Sequence, residues 1–258
     1  MTTTFVWGLK RSGIHLVTNW MYANYGAIEK SPLEAPDLHP QLRDGFRDRT
    51  AGVAFHNNCG WLHSRGFSIG TLTPADFNRA SERQRVTIFG LEDCDLCYAS
   101  RVPVGPEVSH VLVLRDPLNN IASRLEGAKV RPEVFRVDHQ YIALFGAYCE
   151  EYLGWSTRLP HKTRVSYNQF VTERGYRDQL AAQLGVVNLD AVSDVSPYGG
   201  GSSFSGDGRA DPAHELLLRY RRRPVPRRLV AMLAEHPAVR SVCSEVFGYD
   251  LAIQAAAR

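Results

Sequence analysis

The apolar run Phe5-Val6-Trp7 is short, unbroken and followed at once by glycine, which predicts a buried strand that ends in a turn. Beyond Gly13 the apolar residues Val17, Trp20 and Met21 recur at helical spacing, and Asn24-Tyr25-Gly26 supplies a stop, since glycine accepts the left-handed conformation that closes a helix. Val86-Thr-Ile-Phe-Gly-Leu91 predicts a second core strand ending at Glu92-Asp93. Val111-Leu-Val-Leu114 predicts a third, apolar at every position as in a parallel strand covered on both faces. Behind it, Asp116 is placed to cap a helix whose first residue is Pro117 and which runs from Leu118 to about Leu125. Tyr141, Phe145, Tyr148, Tyr152 and Trp155 form one helical stripe, read as core. Thr163-Arg-Val-Ser-Tyr167 is the fourth expected strand, followed by a helix ending at Gly185. Between Glu29 and Arg85 the pattern is irregular, with Pro32, Pro36 and Pro40, and only Ala51–Phe55 reads as a short strand. An α/β fold follows, a central parallel sheet flanked by helices in three layers.

The segment Gly8-Leu9-Lys10-Arg11-Ser12-Gly13-Ile14-His15 lies between the first strand and the first helix. A glycine-bracketed turn feeding a helix start is an anion site, because the first-turn N–H groups are unpaired and the helix dipole favours negative charge. Lys10 and Arg11 add full positive charges, so the segment reads as a phosphate cradle. The spacing Gly8-x4-Gly13 matches the start of a nucleotide-binding P-loop, but Ile14-His15 stands where ATP- and GTP-using loops need lysine and a hydroxyl. In open α/β sheets ligands bind beyond the carboxyl ends of the strands. The Arg11 loop, Glu92-Asp93 and Arg115 all fall at such ends.

Two segments together resemble the sulfotransferases that use 3′-phosphoadenosine 5′-phosphosulfate (PAPS). Arg11-Ser12-Gly13 is similar to their 5′-phosphosulfate loop, written Lys/Arg-Ser-Gly-Thr-Thr, and Arg115-Asp116-Pro117-x5-Ser123 to their 3′-phosphate motif. Tyr167 corresponds to the end of a strand that closes in Tyr-Glu in that family, with Asn168 in place of the glutamate. The late loop Gly199–Gly208, with Ser202 and Ser203, is similar to one that closes over the nucleotide, and Phe247-Gly248-Tyr249 resembles the end of the last helix. The likeness runs from about residue 5 to 250 and is thinnest in the middle, so a single domain over 1–258 is expected, with the insert of about 29–85 serving acceptor binding.

The resemblance implies a P-loop-type fold and transfer of a sulfuryl group from PAPS to a hydroxyl or amine of a small molecule, a carbohydrate or a lipid, with 3′-phosphoadenosine 5′-phosphate (PAP) as product and no metal. It implies nucleotide contacts from Lys10, Arg11, Ser12, Gly13, Ile14, His15, Arg115, Ser123, Tyr167, Ser202 and Ser203. Arg11 would stabilise charge on the departing phosphate, as a guanidinium that stays protonated. Glu92 is the first candidate for the base, ahead of Asp93, His56 and Glu29; its alternative role is to pair with Arg11 or Arg115. His63 and His56 otherwise read as loop histidines. The departures are Ile14 and His15, which remove two threonine hydroxyls, and Leu16, which stands where some members carry tryptophan. His15 can return one hydrogen bond. A P-loop kinase and a non-catalytic nucleotide-binding protein are the alternatives.

Composition narrows this further. A net charge of +3 is too small to indicate nucleic acid, and the cluster Arg219–Arg228 carries a single aromatic, Tyr220, so it reads as a solvated face or as arginines reaching the nucleotide or an acidic acceptor. The five cysteines are odd in number and scattered; Cys94-x-x-Cys97 has no second couplet to complete a zinc site, and reduced thiols are expected. No apolar run approaches the roughly 18 residues of a membrane span, and no basic-then-apolar leader opens the chain, so a cytoplasmic location is expected.

Overall fold

The computed structural model describes residues 2–26, 46–50, 53–56, 72–82, 84–190, 217 and 219–256. Six strands, β1 (Thr2–Gly8), β2 (Phe46–Thr50), β3 (Val53–His56), β4 (Val86–Glu92), β5 (Val108–Leu114) and β6 (Thr163–Ser166), form one sheet in the order β2-β3-β4-β1-β5-β6. All neighbours pair in parallel except β2, which runs antiparallel to β3. The strand carrying the glycine loop is thus central, and its last residue, Gly8, lies opposite Glu92 on one side and Val113 on the other.

Side chains alternate across β1, and this alternation builds two cores. Phe5 and Trp7 join Phe89, Leu91, Leu112 and Leu114 on one face. There they meet α2 (Pro74–Ser81), α3 (Pro117–Ala128), α4 (His139–Leu153), α8 (Arg227–Ala234) and α9 (Pro237–Glu245). The rings of Phe5 and Phe89 stack at 5.0 Å, and Phe77 of α2 stands edge-on to both. Val6, Ile88, Val111, Val113 and Val165 form the other face, covered by α1 (Ile14–Gly26), α5 (Tyr167–Thr172) and α6 (Arg174–Leu184). The other α-helices among the described residues are α7 (Arg219–Arg222) and α10 (Leu251–Ala256), and Leu96–Arg101 forms a 3₁₀ helix. The expected three-layer arrangement is present. Among the described residues no helix is long and apolar enough to cross a membrane.

Three local differences from the sequence expectation have physical causes. The fourth strand stops at Ser166, so Tyr167 opens a helix instead of ending a strand. The helix expected up to Gly185 is two helices, broken at Glu173, where the Arg177 guanidinium caps the freed Phe170 carbonyl at 2.7 Å. The aromatic stripe of α4 is buried from Tyr141 to Tyr152, but Trp155 lies past the left-handed cap Gly154 and is exposed. Within the irregular insert the structure adds β2 and α2. The start of α2 is a capping box, Thr73 with Asp76, with Pro74 as the first helical residue.

The connection that delivers β6, and with it Tyr167, is held by one carboxylate. Glu151, fully buried near the end of α4, accepts from Ser156 Oγ (2.6 Å), Arg158 N (2.9 Å), Leu159 N (3.0 Å) and Lys162 Nζ. Burial alone would raise its carboxyl, but Lys162, Ser156 and the two amides together hold it below its ordinary value of 4.5. Replacing Glu151 by alanine strands the Lys162 ammonium and two amides, so denaturant unfolding at neutral pH should show a loss of about 3–5 kcal/mol. A carboxyl depressed in the folded state contributes fully above 4.5 and loses its contribution as pH falls through the lower folded value. The stability gap between wild type and Glu151→Gln should therefore narrow in acid below 4.5; a constant gap would refute this role.

Candidate active site

The loop between β1 and α1 turns by placing two residues in the left-handed region, Arg11 at φ 69° and Gly13 at φ 89°. A turn closed by the Ser12 N–H on the Leu9 carbonyl (2.9 Å) brings successive amides to one side, the arrangement that makes an anion-binding concavity. Gly13 is required twice over. A Cβ there would lie 2.0 Å from Cε2 of Tyr167, so the ring of Tyr167 packs directly on the loop. Gly8 is also confined, since a Cβ would come within 2.8 Å of Ser12 Oγ. Ser12 is buried, and its hydroxyl has no hydrogen-bond partner among the described residues. Ile14 puts its side chain into the α1 core, so its share in the cradle is its backbone amide.

Below the loop lies a charge cluster centred on Asp93. This residue follows β4 in a left-handed conformation (φ 52°) and donates its own N–H to the Gly8 carbonyl at 3.1 Å. Its carboxylate accepts from the Lys10 N–H (2.8 Å) and from Arg124 Nη1 (2.9 and 3.1 Å), with Lys10 Nζ at 3.7 Å. Lys10 is buried, and desolvation lowers its ammonium below the ordinary lysine value against the opposing pull of Asp93 and Glu92. The Lys10 side chain thus points its charge into this cluster beneath the loop.

Arg124 is the residue that sequence reasoning missed. It is buried, it donates to the Arg136 carbonyl at 3.2 Å, and its guanidinium lies 3.9 Å from the ring centre of Tyr141. Asn120, one turn earlier on α3, donates to the Lys10 carbonyl at 3.2 Å and accepts from the Tyr141 hydroxyl. The available signal was the expected α3 itself: a helix with an apolar face has few reasons to carry Asn120 and Arg124 four apart, and that spacing puts both on one side.

Arg115 joins the two motifs. It ends β5 buried, donates from Nη1 to the Arg11 carbonyl at 3.0 Å, and stacks its guanidinium over Tyr167 at 4.9 Å. Arg11 lies over Phe135 at the same 4.9 Å. Asp116 caps α3 through the Asn119 N–H (2.7 Å), and burial raises its carboxyl above the ordinary value despite that bond. Ser123 is buried two turns into the same helix.

Glu92 stands at the cradle's edge. It is buried, and burial by itself would raise its carboxyl; His15, Lys10 and Arg11 outweigh that and hold it below the ordinary carboxylate value. His15 Nε2 lies 3.3 Å from Glu92 Oε1.

His56 is not part of this grouping. It pairs in register with Phe89, on the sheet face opposite Glu92, and stacks on that ring at 4.8 Å. Ser202, Ser203, His63 and Glu29 lie outside the described residues. In the basic cluster, Arg221, Arg222, Arg227 and Arg228 are exposed, and Arg223 pairs with Glu126 at 2.8 Å. The cluster reaches α3 through Asn119, which donates to the Leu217 carbonyl and accepts from the Tyr220 N–H. Cys97 is exposed and Cys94 buried, and no group of three metal-ligating side chains occurs among the described residues.

No protein-family profile matches the chain, and no curated protein matches it in sequence. Solved structures do. The sulfotransferase domain of the Synechococcus PCC 7002 olefin synthase is similar over 97% of this chain and 95% of its own, with TM-score 0.53 and 16% identity. A sulfotransferase domain from the curacin biosynthetic pathway also matches, at 13% identity and TM-score 0.49; the fold assignment rests on the first. With a parallel sheet in this order and the glycine loop on its central strand, the chain has the sulfotransferase fold.

Proposed function

We propose that the protein is a PAPS-dependent sulfotransferase acting on a hydroxyl or amine of a small molecule, a glycan or a lipid. The observation that carries this reading is the 3.0 Å bond from Arg115 to the Arg11 carbonyl. Two phosphate-type motifs 104 residues apart meet at one point, and each brings a guanidinium. The donor set suits the nucleotide: two guanidinium groups whose planar forks match phosphate oxygens, the buried Ser12 hydroxyl, and the amides of a strand-to-helix loop.

PAPS, when bound, supplies the activated sulfuryl group. Arg11 and the Ser12 and Gly13 amides hold the 5′ end and stabilise charge gathering on the leaving phosphate, the role of preorganised donors in group transfer. Arg115 and Ser123 hold the 3′-phosphate and thereby fix the donor in line with the acceptor. Tyr167 sets the distance between the two, because its ring touches Gly13 and also underlies Arg115. Glu92 gives the rim of the cradle a fixed negative charge on the side where an acceptor proton must leave.

The test is calorimetric titration with PAP, adenosine 5′-phosphate and ATP, with and without magnesium. Wild type is expected to bind PAP without metal and more tightly than adenosine 5′-phosphate. Arg115→Ala should weaken PAP by about 10- to 100-fold, the worth of a charged hydrogen-bonding group, and should abolish the preference for the 3′-phosphorylated nucleotide. Tighter, magnesium-dependent ATP binding would overturn the reading in favour of a kinase. A second measurement separates binding from chemistry. Arg11→Ala should lower the rate of PAP release from PAPS by about 10²- to 10³-fold, as for loss of a single charge-stabilising donor. An unchanged rate would remove Arg11 from the mechanism.

A further inference from the structure

The chain leaves α3 and turns straight back to the glycine loop. Beyond the helix the N–H groups of Val130 and Arg131 close on the Gly127 carbonyl at 3.1 and 3.0 Å, and the Phe135 N–H closes on the Arg131 carbonyl at 3.2 Å. One residue later the Arg136 carbonyl accepts from Nη2 of the buried Arg124 at 3.2 Å. Turns on one side and a buried guanidinium on the other thus fasten the backbone around Phe135. The half-buried ring between them lies with its centre 4.9 Å from the Arg11 guanidinium. Its seat is cut into α3. A Cβ on Gly127 would come 2.7 Å from Phe135 Cδ2 and 3.0 Å from Cε2, so glycine leaves the ring its place. Alanine would suit the last turn of a helix better, and the choice of glycine serves the ring instead.

Arg11 is fixed in two separate ways. Its backbone is set by the left-handed turn at φ 69° and by Arg115 Nη1 on its carbonyl at 3.0 Å. Neither of these sets the side chain, which has several rotatable bonds whose freedom would be lost at the moment a ligand binds. A ring face attracts a guanidinium through its quadrupole and favours stacking of the planar group, so this freedom is given up in advance. Glu92 acts on the same guanidinium as an opposite charge, and the ring and the carboxylate share the task of locating it.

We propose that Phe135 is a positioning residue for sulfuryl transfer: it holds the Arg11 side chain in place for the 5′ end of the nucleotide, on a seat that Gly127 and Arg124 provide. The proposal rests on the sulfotransferase reading above, in which Arg11 acts on the 5′-phosphate. Phe135 acts through Arg11 and takes no part in moving the proton or the sulfuryl group. The segment that follows α3 is thereby part of the phosphosulfate end of the site, although the helix itself begins at the 3′-phosphate motif.

The experiment uses the full chain and calorimetric titration with PAP and with adenosine 3′-phosphate, which lacks the 5′ group that Arg11 serves. Phe135→Leu keeps an apolar side chain without a ring face. It should weaken PAP by about 3- to 30-fold, the worth of a cation–π contact from exposed to desolvated settings, and leave adenosine 3′-phosphate unchanged. Phe135→Tyr keeps the face and should bind PAP as wild type does. Gly127→Ala should share the selective loss, because the added methyl displaces the ring while residue 135 stays the same. In an Arg11→Ala background Phe135→Leu should cost PAP nothing further, since the two residues act as one unit. Equal losses for both nucleotides would make Phe135 a packing residue and overturn the proposal. So would wild-type PAP affinity in Phe135→Leu, or losses that add in the double variant. Failure of wild type to bind PAP is a different result: it removes the sulfotransferase reading, and the proposal with it.

Discussion

Asp93 is the constraint on which the site depends. A carboxylate placed under a loop of cationic residues fixes that loop through three elements at once: the Lys10 amide from the loop, Arg124 from α3, and its own N–H on the last carbonyl of β1. Each bond is modest by itself. Together they hold the turn that puts Arg11 at φ 69°, a conformation a non-glycine residue adopts only when its surroundings impose it. The same cluster decides how the positive charge is shared. Lys10 and Arg124 share the Asp93 carboxylate inside the protein, while the Arg115 guanidinium lies on the Arg11 carbonyl and the Tyr167 ring.

The second dependency is the approach of Tyr167 to Gly13. A ring lying on a glycine backbone couples the end of β6 to the loop that leaves β1, and these two strands lie on opposite sides of β5 in the sheet order. Arg115, at the end of β5, lies between them, with its guanidinium over the ring and its Nη1 on the loop carbonyl. The Arg11 loop and the Arg115 strand end are therefore parts of one rigid unit. For the proposed in-line transfer this would matter more than any single contact, since a reacting group misplaced by an ångström loses most of the benefit of being bound.

Much of this was legible in the sequence, and for identifiable reasons. Apolar runs that must be buried on both faces announce themselves, so β1, β4 and β5 were found within a few residues, and Asp116-Pro117 marked the start of α3 by its own chemistry. The loop was readable because glycine spacing and cation placement are local. What stayed hidden was non-local. Nothing in the order Glu92-Asp93 tells which carboxylate turns inward to the buried cations and which meets His15, because that depends on the left-handed turn at Asp93. Arg124 was passed over because a lone arginine in a helix reads as solvated until its neighbours are known. His56 was given a role on residue type alone; strand parity and the stack on Phe89 put it in the aromatic core of the other face. The helix α2 stayed hidden although Thr73-Pro74-Ala75-Asp76 carries both a capping pair and a favoured first residue, because its eight residues bury only Phe77, Ala80 and Ser81 and show no clear apolar period.

The division of labour among the cations bears on how a loop without the two threonines would serve as the proposed cradle. Amides do the holding, and an amide is indifferent to whether its side chain is threonine, isoleucine or histidine. Ile14 can therefore be spent on the core and His15 on Glu92, with the concavity intact. Lysine is the cation whose proton affinity falls on burial, and here it serves as a brace under the loop. The two arginines of the motifs, Arg11 and Arg115, each lie over an aromatic ring, Phe135 or Tyr167. Such a ring limits the rotation of the guanidinium plane, so the direction of its N–H groups is settled before any ligand arrives. A site built in this way gives up adaptable hydroxyls and gains fixed charge and orientation, an exchange that suits the proposed reaction, whose chief demand would be to stabilise a leaving phosphate in one geometry.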